Sequence, residues 1–206
     1  DQETVNFALS IFNAEQLAEV TVTPKRPALS FNGMVCYNVF FDAQDLGDLT
    51  AADLGLAVFN TYAPDGTVEN ANEVHLGAEE IDGLYMVATD GVHAKYLGDA
   101  KFFRAFAKKA DGSYVYSKMV SYSAVDYAKN ILAKSDDVKL KQLVVAMLNY
   151  GAEAQKFFGY KTYDLMNKDL TADNLALLNG FDANSLNKVG KVDSTKVGAF
   201  ASTGGF

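Results

Sequence analysis

Short runs of alternating large and small or polar side chains recur through the first 120 residues, and this alternation predicts strands. The run VNFALSI at residues 5–11 has a large apolar side chain at every second position. Similar runs are rich in β-branched or aromatic residues and end at Gly, Pro, Asn or Asp. They lie at 17–23, 29–41, 54–59, 84–89, 101–108 and 113–120. Seven to eight strands are therefore expected.

Turn-forming residues separate these runs. The Asp-Gly pair at 111–112 predicts a hairpin with a type I′ turn, because both residue types tolerate positive φ. Pro-Asp-Gly at 64–66 predicts a second turn. Pro24 and Pro27 cannot donate ladder hydrogen bonds, which makes their segment a loop or a sheet edge. The spacing Thr-x-x-Asp at 50–53 predicts a capped helical turn between strands.

The apolar pattern changes to a helical period after residue 120. A capping box at 123–126 predicts a short helix that ends near Lys134. We expect Ser135 to cap a longer helix and Gly159 to close it. A third, short helix is expected over 170–180, capped by Thr171. The stripe expected on the longer helix is Leu140, Leu143, Val144, Met147, Leu148 and Gly151.

Many short strands without regular strand-helix alternation favour an antiparallel β-sandwich over a doubly wound sheet. The predicted fold class is α+β, with an Ig-like sandwich of seven to eight strands and a C-terminal helical hairpin packed against it. Residues 1–180 are expected to form one domain. Residues 181–206 show little periodicity, so we interpret them as a linker or the start of a following module of a longer protein.

Charge and chain composition exclude several partners. A net charge of −8 and a pI near 4.7 repel phosphate backbones and anionic lipid head groups, so nucleic acid is a poor partner. The longest apolar runs are far shorter than the roughly 20 residues that span a bilayer. We therefore expect no direct membrane insertion.

Residues that carry chemistry are scarce. Cys36 is interpreted as a buried small hydrophobic residue. His75 and His93 are separated by seventeen residues and fit no metal-ligand motif, and the aspartates at 42–48 lack the calcium-loop spacing. There is no nucleophile-elbow motif and no glycine-rich phosphate loop. We predict no catalytic residues, no metal site and no cofactor.

Tyrosine is abundant, with eleven copies, whereas tryptophan is absent. Exposed aromatic rings bind the apolar faces of sugar rings. Tyr114, Tyr116 and Tyr163 are therefore the candidate ligand-binding residues. The alternative interpretation is that such rings attach the helices to the sandwich.

Two motifs carry a resemblance that covers roughly residues 29–167. They are YS-x-x-DYA at 122–128 and L-x-YGA-x-AQ-x-x-FGY at 148–160. The segment resembles an uncharacterised module of large secreted or surface-anchored multimodular proteins of anaerobic Gram-positive gut bacteria. Such modules often stand beside Ig-like, S-layer-homology, leucine-rich or dockerin modules. The resemblance implies an extracellular, cell-surface or cell-wall location and neighbouring modules in the same chain.

The second motif also has a structural interpretation. Gly151 and its small neighbours allow the helix to approach the sheet closely. Tyr150 and Tyr160 are expected to fill the groove between them, and Gln155 to form a hydrogen bond across the hairpin.

Three functions remain open at this point. The first is a non-catalytic extracellular module that helps a larger surface protein adhere to polysaccharide or host glycan. The second is a spacer or protein-interaction module with an acidic surface. The third is a hydrolase of unfamiliar type, which requires an open cleft between sandwich and hairpin with at least two ionisable groups of perturbed pKa.

Overall fold

The computed structural model describes residues 19–31 and 34–180. The predicted strand at 5–11 and the predicted linker at 181–206 lie outside this part of the chain. The described residues form nine strands followed by three α-helices. They are β1 (Thr21–Phe31), β2 (Val35–Gln44), β3 (Leu54–Phe59), β4 (Glu73–Leu76), β5 (Glu79–Ile81), β6 (Leu84–Ala88), β7 (Lys101–Lys108), β8 (Tyr114–Tyr116), β9 (Val120–Tyr122), α1 (Ala124–Lys134), α2 (Val138–Phe157) and α3 (Ala172–Ala176).

The strands form two antiparallel sheets. The first sheet has the order β1-β2-β6-β5, and the second has the order β4-β3-β7, with β8 and β9 both paired to the far side of β7. The prediction of a mostly antiparallel, sandwich-like α+β fold is confirmed at this level.

The main core lies between the two sheets. Every second residue of β2 is buried, as expected for a strand with one face inward. The ring of Tyr37 on β2 lies 5.4 Å from the ring of Phe103 on β7, and both side chains are buried. Burying an apolar side chain of this size contributes roughly 1.5–3 kcal/mol. The rings of the two sheets therefore hold the layers together.

The strand β3 is buried along its whole length. Its inner face joins the main core, whereas Ala57 and Phe59 pack with Phe106 in a second, smaller cluster on the outer face of the second sheet. Residues of the segment after β3, among them Ala63 and Val68, cover this cluster. Burial on both faces explains why the sequence LGLAVF is continuously apolar.

Two predicted strands are each divided in the structure. The run 29–41 spans the end of β1 and most of β2, which pair antiparallel with Phe31 opposite Val35. The run 113–120 is divided at Ser117, whose buried side chain accepts a hydrogen bond from the Ala105 amide at 3.0 Å. The strands β4 and β5 were not predicted, because acidic and other polar residues interrupt their apolar pattern.

The predicted turns are present, with one difference in type. The amide of Gly66 donates to the Ala63 carbonyl at 2.8 Å, which confirms the turn at 64–66. A hairpin joins β7 to β8, but only Gly112 has positive φ there, at 84°. The type I′ prediction for 111–112 was wrong, because the turn begins at Lys109 and the loop is longer than two residues.

The Pro24–Pro27 segment lies within β1, which within residues 19–31 and 34–180 is an edge strand paired with β2 alone. A register shift between Pro24 and Arg26 marks the irregularity. The prediction that this segment is a sheet edge is confirmed. Proline has no N–H to donate, and an edge strand tolerates this because one of its sides needs no ladder hydrogen bonds.

Most of the predicted helix caps are confirmed. Ser123 and Asp126 form a capping box, with the Ser123 hydroxyl accepting from the Asp126 amide at 3.1 Å, and α1 ends at Lys134. The capped turn at 50–53 and the Thr171 cap of α3 are also present. Gly159 has φ of 64° and ends α2 in the predicted position.

The predicted cap of α2 was wrong. Asp137 caps this helix, and its Oδ1 atom accepts from the amides of Lys139 and Leu140 at 2.9 and 3.1 Å. Ser135 lies before the helix and accepts from the Asp137 amide at 3.1 Å. Because the helix begins at Val138, Asp137 occupies the N-cap position, where a carboxylate next to the positive helix end is favourable.

The buried face of α2 differs in part from the predicted stripe. Val144, Leu148 and Gly151 are buried, but Leu143 is 42% exposed and Tyr150 is 67% exposed. The prediction that Tyr150 fills a groove against the sheet was therefore wrong. The close approach at Gly151 is to the 3₁₀ turn Ala94–Tyr96 and to a following segment, not to the sheet. Cys36 is half-buried rather than fully buried.

Glycine at position 55 is required by the close approach of two strands. A Cβ at Gly55 would lie 2.5 Å from the His75 carbonyl oxygen and 2.3 Å from Phe106, whereas a Cβ at Gly151 would meet mainly the flexible end of Met166. We expect Gly55→Ala to lower the free energy of unfolding by roughly 1–3 kcal/mol through overpacking. Gly151→Ala should change it by less than about 1 kcal/mol, because the helix propensity of alanine offsets the contact. Urea denaturation of both variants measures this difference, and equal losses would contradict it.

The two candidate caps of α2 also predict different mutational effects. Asp137→Ala should lower the free energy of unfolding by about 1 kcal/mol, because two amides of the first turn lose their acceptor. Ser135→Ala is the matched control and should have a smaller effect. Thermal denaturation measures the loss of stability in each variant. A larger loss for Ser135→Ala would show that Ser135 is the cap.

Candidate functional site

The structure brings two of the three candidate tyrosines together. Tyr114 and Tyr116 are half-buried on β8, and their rings stack with centroids 5.8 Å apart. The Tyr116 hydroxyl accepts a hydrogen bond from the Val68 amide at 3.0 Å, and the Arg104 guanidinium lies 4.6 Å from the Tyr116 ring centre. Burial raises the pKa of Tyr116. These rings attach the segment after β3 to the outer face of the second sheet.

Arg104 strengthens the same attachment. Its Nε donates to the Ser117 carbonyl at 2.9 Å, and its Nη1 donates to the Gly66 carbonyl at 2.6 Å. One face of the Tyr116 ring is thus next to the guanidinium while Tyr114 stacks against the ring. A ligand role for Tyr114 and Tyr116 stays a prediction beside this packing role.

Tyr163 lies apart from that pair. It is 86% exposed and belongs to the connection between α2 and α3. Its ring forms no aromatic pair with Tyr114 or Tyr116 among the rings that the structure describes. No ring contact therefore joins Tyr163 to the other two candidates, and its ligand role also stays a prediction.

A cleft lies at the end of the sandwich where β3 and β6 finish and β4 and β7 begin. It consists of two adjoining cavities of about 360 and 570 Å³ that share Tyr96 and Lys101 in their walls. We call this combined space the strand-end cleft. The smaller cavity is also lined by Glu73, Thr89, Asp90 and His93, and the larger one by Asn60, Asp99, Tyr160 and Lys161.

Two tyrosines and an aspartate organise the larger cavity. The rings of Tyr96 and Tyr160 meet edge to face, with centroids 4.9 Å apart. The Tyr160 hydroxyl donates to Asp99 Oδ2 at 2.5 Å, and the Lys161 ammonium donates to Asp99 Oδ1 at 2.7 Å. Because both hydrogen bonds favour the protonated donor, Asp99 raises the pKa of Tyr160 and the pKa of Lys161.

A lysine connects the two cavities. The Lys101 ammonium donates to Asn60 Oδ1 at 2.6 Å and lies 3.5 Å from Glu73 Oε1. The other carboxylate oxygen of Glu73 lies 3.5 Å from Nε2 of His75. The cleft therefore presents carboxylate, amide and ammonium groups in the same walls as two tyrosine rings.

Gln155 positions the rim that carries Tyr160 and Lys161. This side chain is buried; its Nε2 donates to the Asp164 carbonyl at 3.1 Å, and its Oε1 accepts from the Met166 amide at 2.9 Å. The prediction that Gln155 bonds across a hairpin was wrong, because its partners lie in the segment after α2. This segment is folded back onto the helix, and Tyr160 points at Asp99 as a result.

Metal-ligand side chains converge at one place in the described residues. Donor atoms of Glu73, His75 and Asp90 lie within 4.8 Å of one another beside the smaller cavity. His75 Nε2 is buried and has no hydrogen-bond partner. The prediction of no metal site rested on the wide spacing of the two histidines and did not consider Glu73 or Asp90, which lie two and fifteen positions from His75.

The raised pKa values of Tyr160 and Lys161 make these two groups poor general bases. Tyr160 and Lys161 have raised pKa values, so both carry their protons at neutral pH. A general base or nucleophile needs the opposite, a pKa near or below the working pH. The one hydroxyl proton of Tyr160 is donated to Asp99, whereas the Lys161 ammonium keeps further N–H groups that can donate to a ligand.

An apolar groove lies on the other side of His93. It has a volume of about 560 Å³ and runs between α2 and the residues around the β1–β2 connection and the 91–97 segment. Phe31, Met34, Leu143 and Tyr150 line it and are exposed. Residues predicted to pack α2 onto the sheet, Leu143 and Tyr150, thus line an open surface.

Comparison with protein-family models, with curated proteins and with solved structures finds no match for this chain. In the described residues, the α-helices are too short or too polar to cross a lipid bilayer.

The buried amide of Gln155 predicts a specific loss of stability. Gln155→Met keeps the volume but leaves the Asp164 carbonyl and the Met166 amide without their partner, at a cost of about 1–3 kcal/mol for each buried unsatisfied group. Glu153→Met on the exposed side of α2 is the matched control and should change stability by less than about 0.5 kcal/mol. Chemical denaturation measures both, and similar values for the two variants would remove the proposed role of Gln155.

Proposed function

We propose that this chain is a non-catalytic extracellular binding module, with polysaccharide or host glycan as its ligand and the strand-end cleft as its binding site. In this proposal it helps a larger surface protein adhere. The extracellular, cell-wall-associated location rests on the resemblance of residues 29–167. The observation that carries the ligand class is the pair of tyrosine rings beside the Asn60, Asp99 and Lys101 side chains.

Sugars need two kinds of contact, and the cleft offers both. The apolar face of a pyranose ring stacks on an aromatic side chain, and its hydroxyls bond to amide, carboxylate and ammonium groups. Tyr96 supplies a ring to both cavities, while Asn60 and Asp99 supply acceptors. Lys101 and Lys161 supply ammonium groups, which donate hydrogen bonds to polar groups of a ligand. A purely apolar ligand would remove water from these polar groups and offer no further hydrogen bond in return.

The finer architecture belongs to the same proposal. We take the two sheets as an Ig-like sandwich and the α1–α2 pair as a helical hairpin packed against it, within one domain over residues 1–180. Three residues separate α1 from α2, and the two helices contact each other. The Ala124 amide donates to the Leu97 carbonyl at 3.1 Å, which supports attachment of α1 to the segment that forms one wall of the cleft.

The experiment compares Tyr96, a half-buried tyrosine of the cleft, with Tyr62, an exposed tyrosine outside it. Glycan arrays and affinity electrophoresis with plant and mucin polysaccharides identify a ligand, and titration then gives Kd for variants. Tyr96→Ala should raise Kd at least about tenfold, which corresponds to about 1.4 kcal/mol. Tyr62→Ala is the control, because Tyr62 is 68% exposed, packs on Phe102 and does not line the cleft.

Two outcomes would contradict the proposal. One is the absence of binding to every glycan tested by a protein whose circular dichroism shows a folded chain. The other is a ligand whose Kd changes equally in Tyr62→Ala and Tyr96→Ala, since that would separate binding from the cleft.

A protein-interaction or spacer module is the second candidate, and the apolar groove is the observation in its favour. Tyrosine and methionine are enriched in protein interfaces, and Tyr150 and Met34 are exposed here. This candidate would be favoured if the protein bound no glycan and if Tyr150→Ala abolished its binding to a defined neighbouring module.

A further inference from the structure

We propose that Glu73, His75 and Asp90 form a binding site for a divalent transition-metal ion, with Zn²⁺ as the preferred ion. The site goes beyond glycan binding, because it concerns a metal ion that joins the two sheets at the wall of the cleft and not a sugar ligand. The cluster is the one set of converging metal-ligand side chains among the described residues.

The separation of the donor atoms fits a tetrahedral ion. Zinc binds histidine nitrogen and carboxylate oxygen at about 2.0–2.2 Å, which places neighbouring ligand atoms about 3.3 Å apart. Glu73 Oε2 and His75 Nε2 are 3.5 Å apart, and the donor atoms of all three residues lie within 4.8 Å. The Asp90 carboxylate is exposed, so it can move closer to the other two without disturbing the core.

His75 supplies the observation that points most directly to a ligand. Its side chain is 19% exposed, and the Nε2 atom is inaccessible to solvent and lacks a hydrogen-bond partner. A buried nitrogen without a partner is costly unless something else binds it. The lone pair of a neutral imidazole binds zinc, and the Glu73 carboxylate beside it would be the second ligand.

The charges around the cluster leave the required atoms available. The Lys101 ammonium lies 3.5 Å from Glu73 Oε1, which is the carboxylate oxygen that does not face His75. The same ammonium donates to Asn60 at 2.6 Å. The Asp90 carboxylate has no ion pair or hydrogen bond within residues 19–31 and 34–180. Two carboxylates against one lysine leave a net negative site, which favours a cation.

The topology gives the ion a structural role. Glu73 and His75 alternate along β4 and share one face of this edge strand of the second sheet. Asp90 follows β6 of the first sheet. An ion at this point would therefore connect the sheets at the wall of the smaller cavity. A water molecule would complete a four-ligand shell.

The ligand set selects among ions. One imidazole with two carboxylates suits Zn²⁺ and related transition metals, whereas Ca²⁺ takes six to eight oxygen ligands and avoids nitrogen. We therefore expect Zn²⁺ to bind and Ca²⁺ not to bind at the same concentrations.

The test uses the full chain after treatment with EDTA. Isothermal titration with ZnCl₂ should show one ion per chain, and the midpoint of thermal unfolding should rise, because the ion binds only the folded arrangement. His75→Gln and Asp90→Asn should each raise the Zn²⁺ Kd at least about tenfold. CaCl₂ should leave the midpoint unchanged.

Control variants make the result specific to the cluster. His93→Gln removes the other histidine and Cys36→Ser removes the single thiol, and both should keep the wild-type Zn²⁺ Kd. Circular dichroism and the metal-free midpoint check that each variant is folded. If His75→Gln does not fold, Asp90→Asn alone tests the site. Tyr96→Ala should lose glycan affinity but keep Zn²⁺, which separates the two proposals. Absence of Zn²⁺ binding by the wild type, or binding that survives in both cluster variants, would overturn the site.

Discussion

The contact between the two sheets through Tyr37 and Phe103 is the interaction on which the rest of the structure depends. The two buried rings belong to an inner strand of each sheet, so they fix the distance and offset of the layers. With the layers in place, β3 and β6 finish and β4 and β7 begin at the same end of the sandwich. The connecting segments therefore leave and rejoin the sheets at that end. Polar residues at these exits face one another, and the strand-end cleft follows from that meeting.

Local signals predicted much of the fold. The capping box at Ser123, the terminating Gly159 and the continuous apolar run of β3 each depend on neighbours within a few residues, so the sequence shows them directly. The division of the run 29–41 also had a local signal, the Asn-Gly pair at 32–33, which favours a hairpin. The position of the α2 cap was ambiguous, since Ser135 and Asp137 are both good caps and only the helix register decides between them.

The candidate site could not be predicted in the same way. Tyr160 meets Asp99 across sixty-one positions of sequence, and Lys101 meets Asn60 across forty-one, so no spacing motif records these contacts. The resemblance gave a location and no residues. The abundance of tyrosine could not distinguish rings that pack, such as Tyr116, from rings that line a cleft, such as Tyr96.

The account is tested most directly by mapping where an oligosaccharide binds. Amide chemical shifts of the labelled protein, followed during titration with a glycan that the arrays identify, locate the contact residue by residue. The account predicts that the largest changes fall on Tyr96, Asp99, Lys101 and Tyr160. Changes centred instead on Tyr114 and Tyr116, or on the Tyr150 side of the apolar groove, would contradict it.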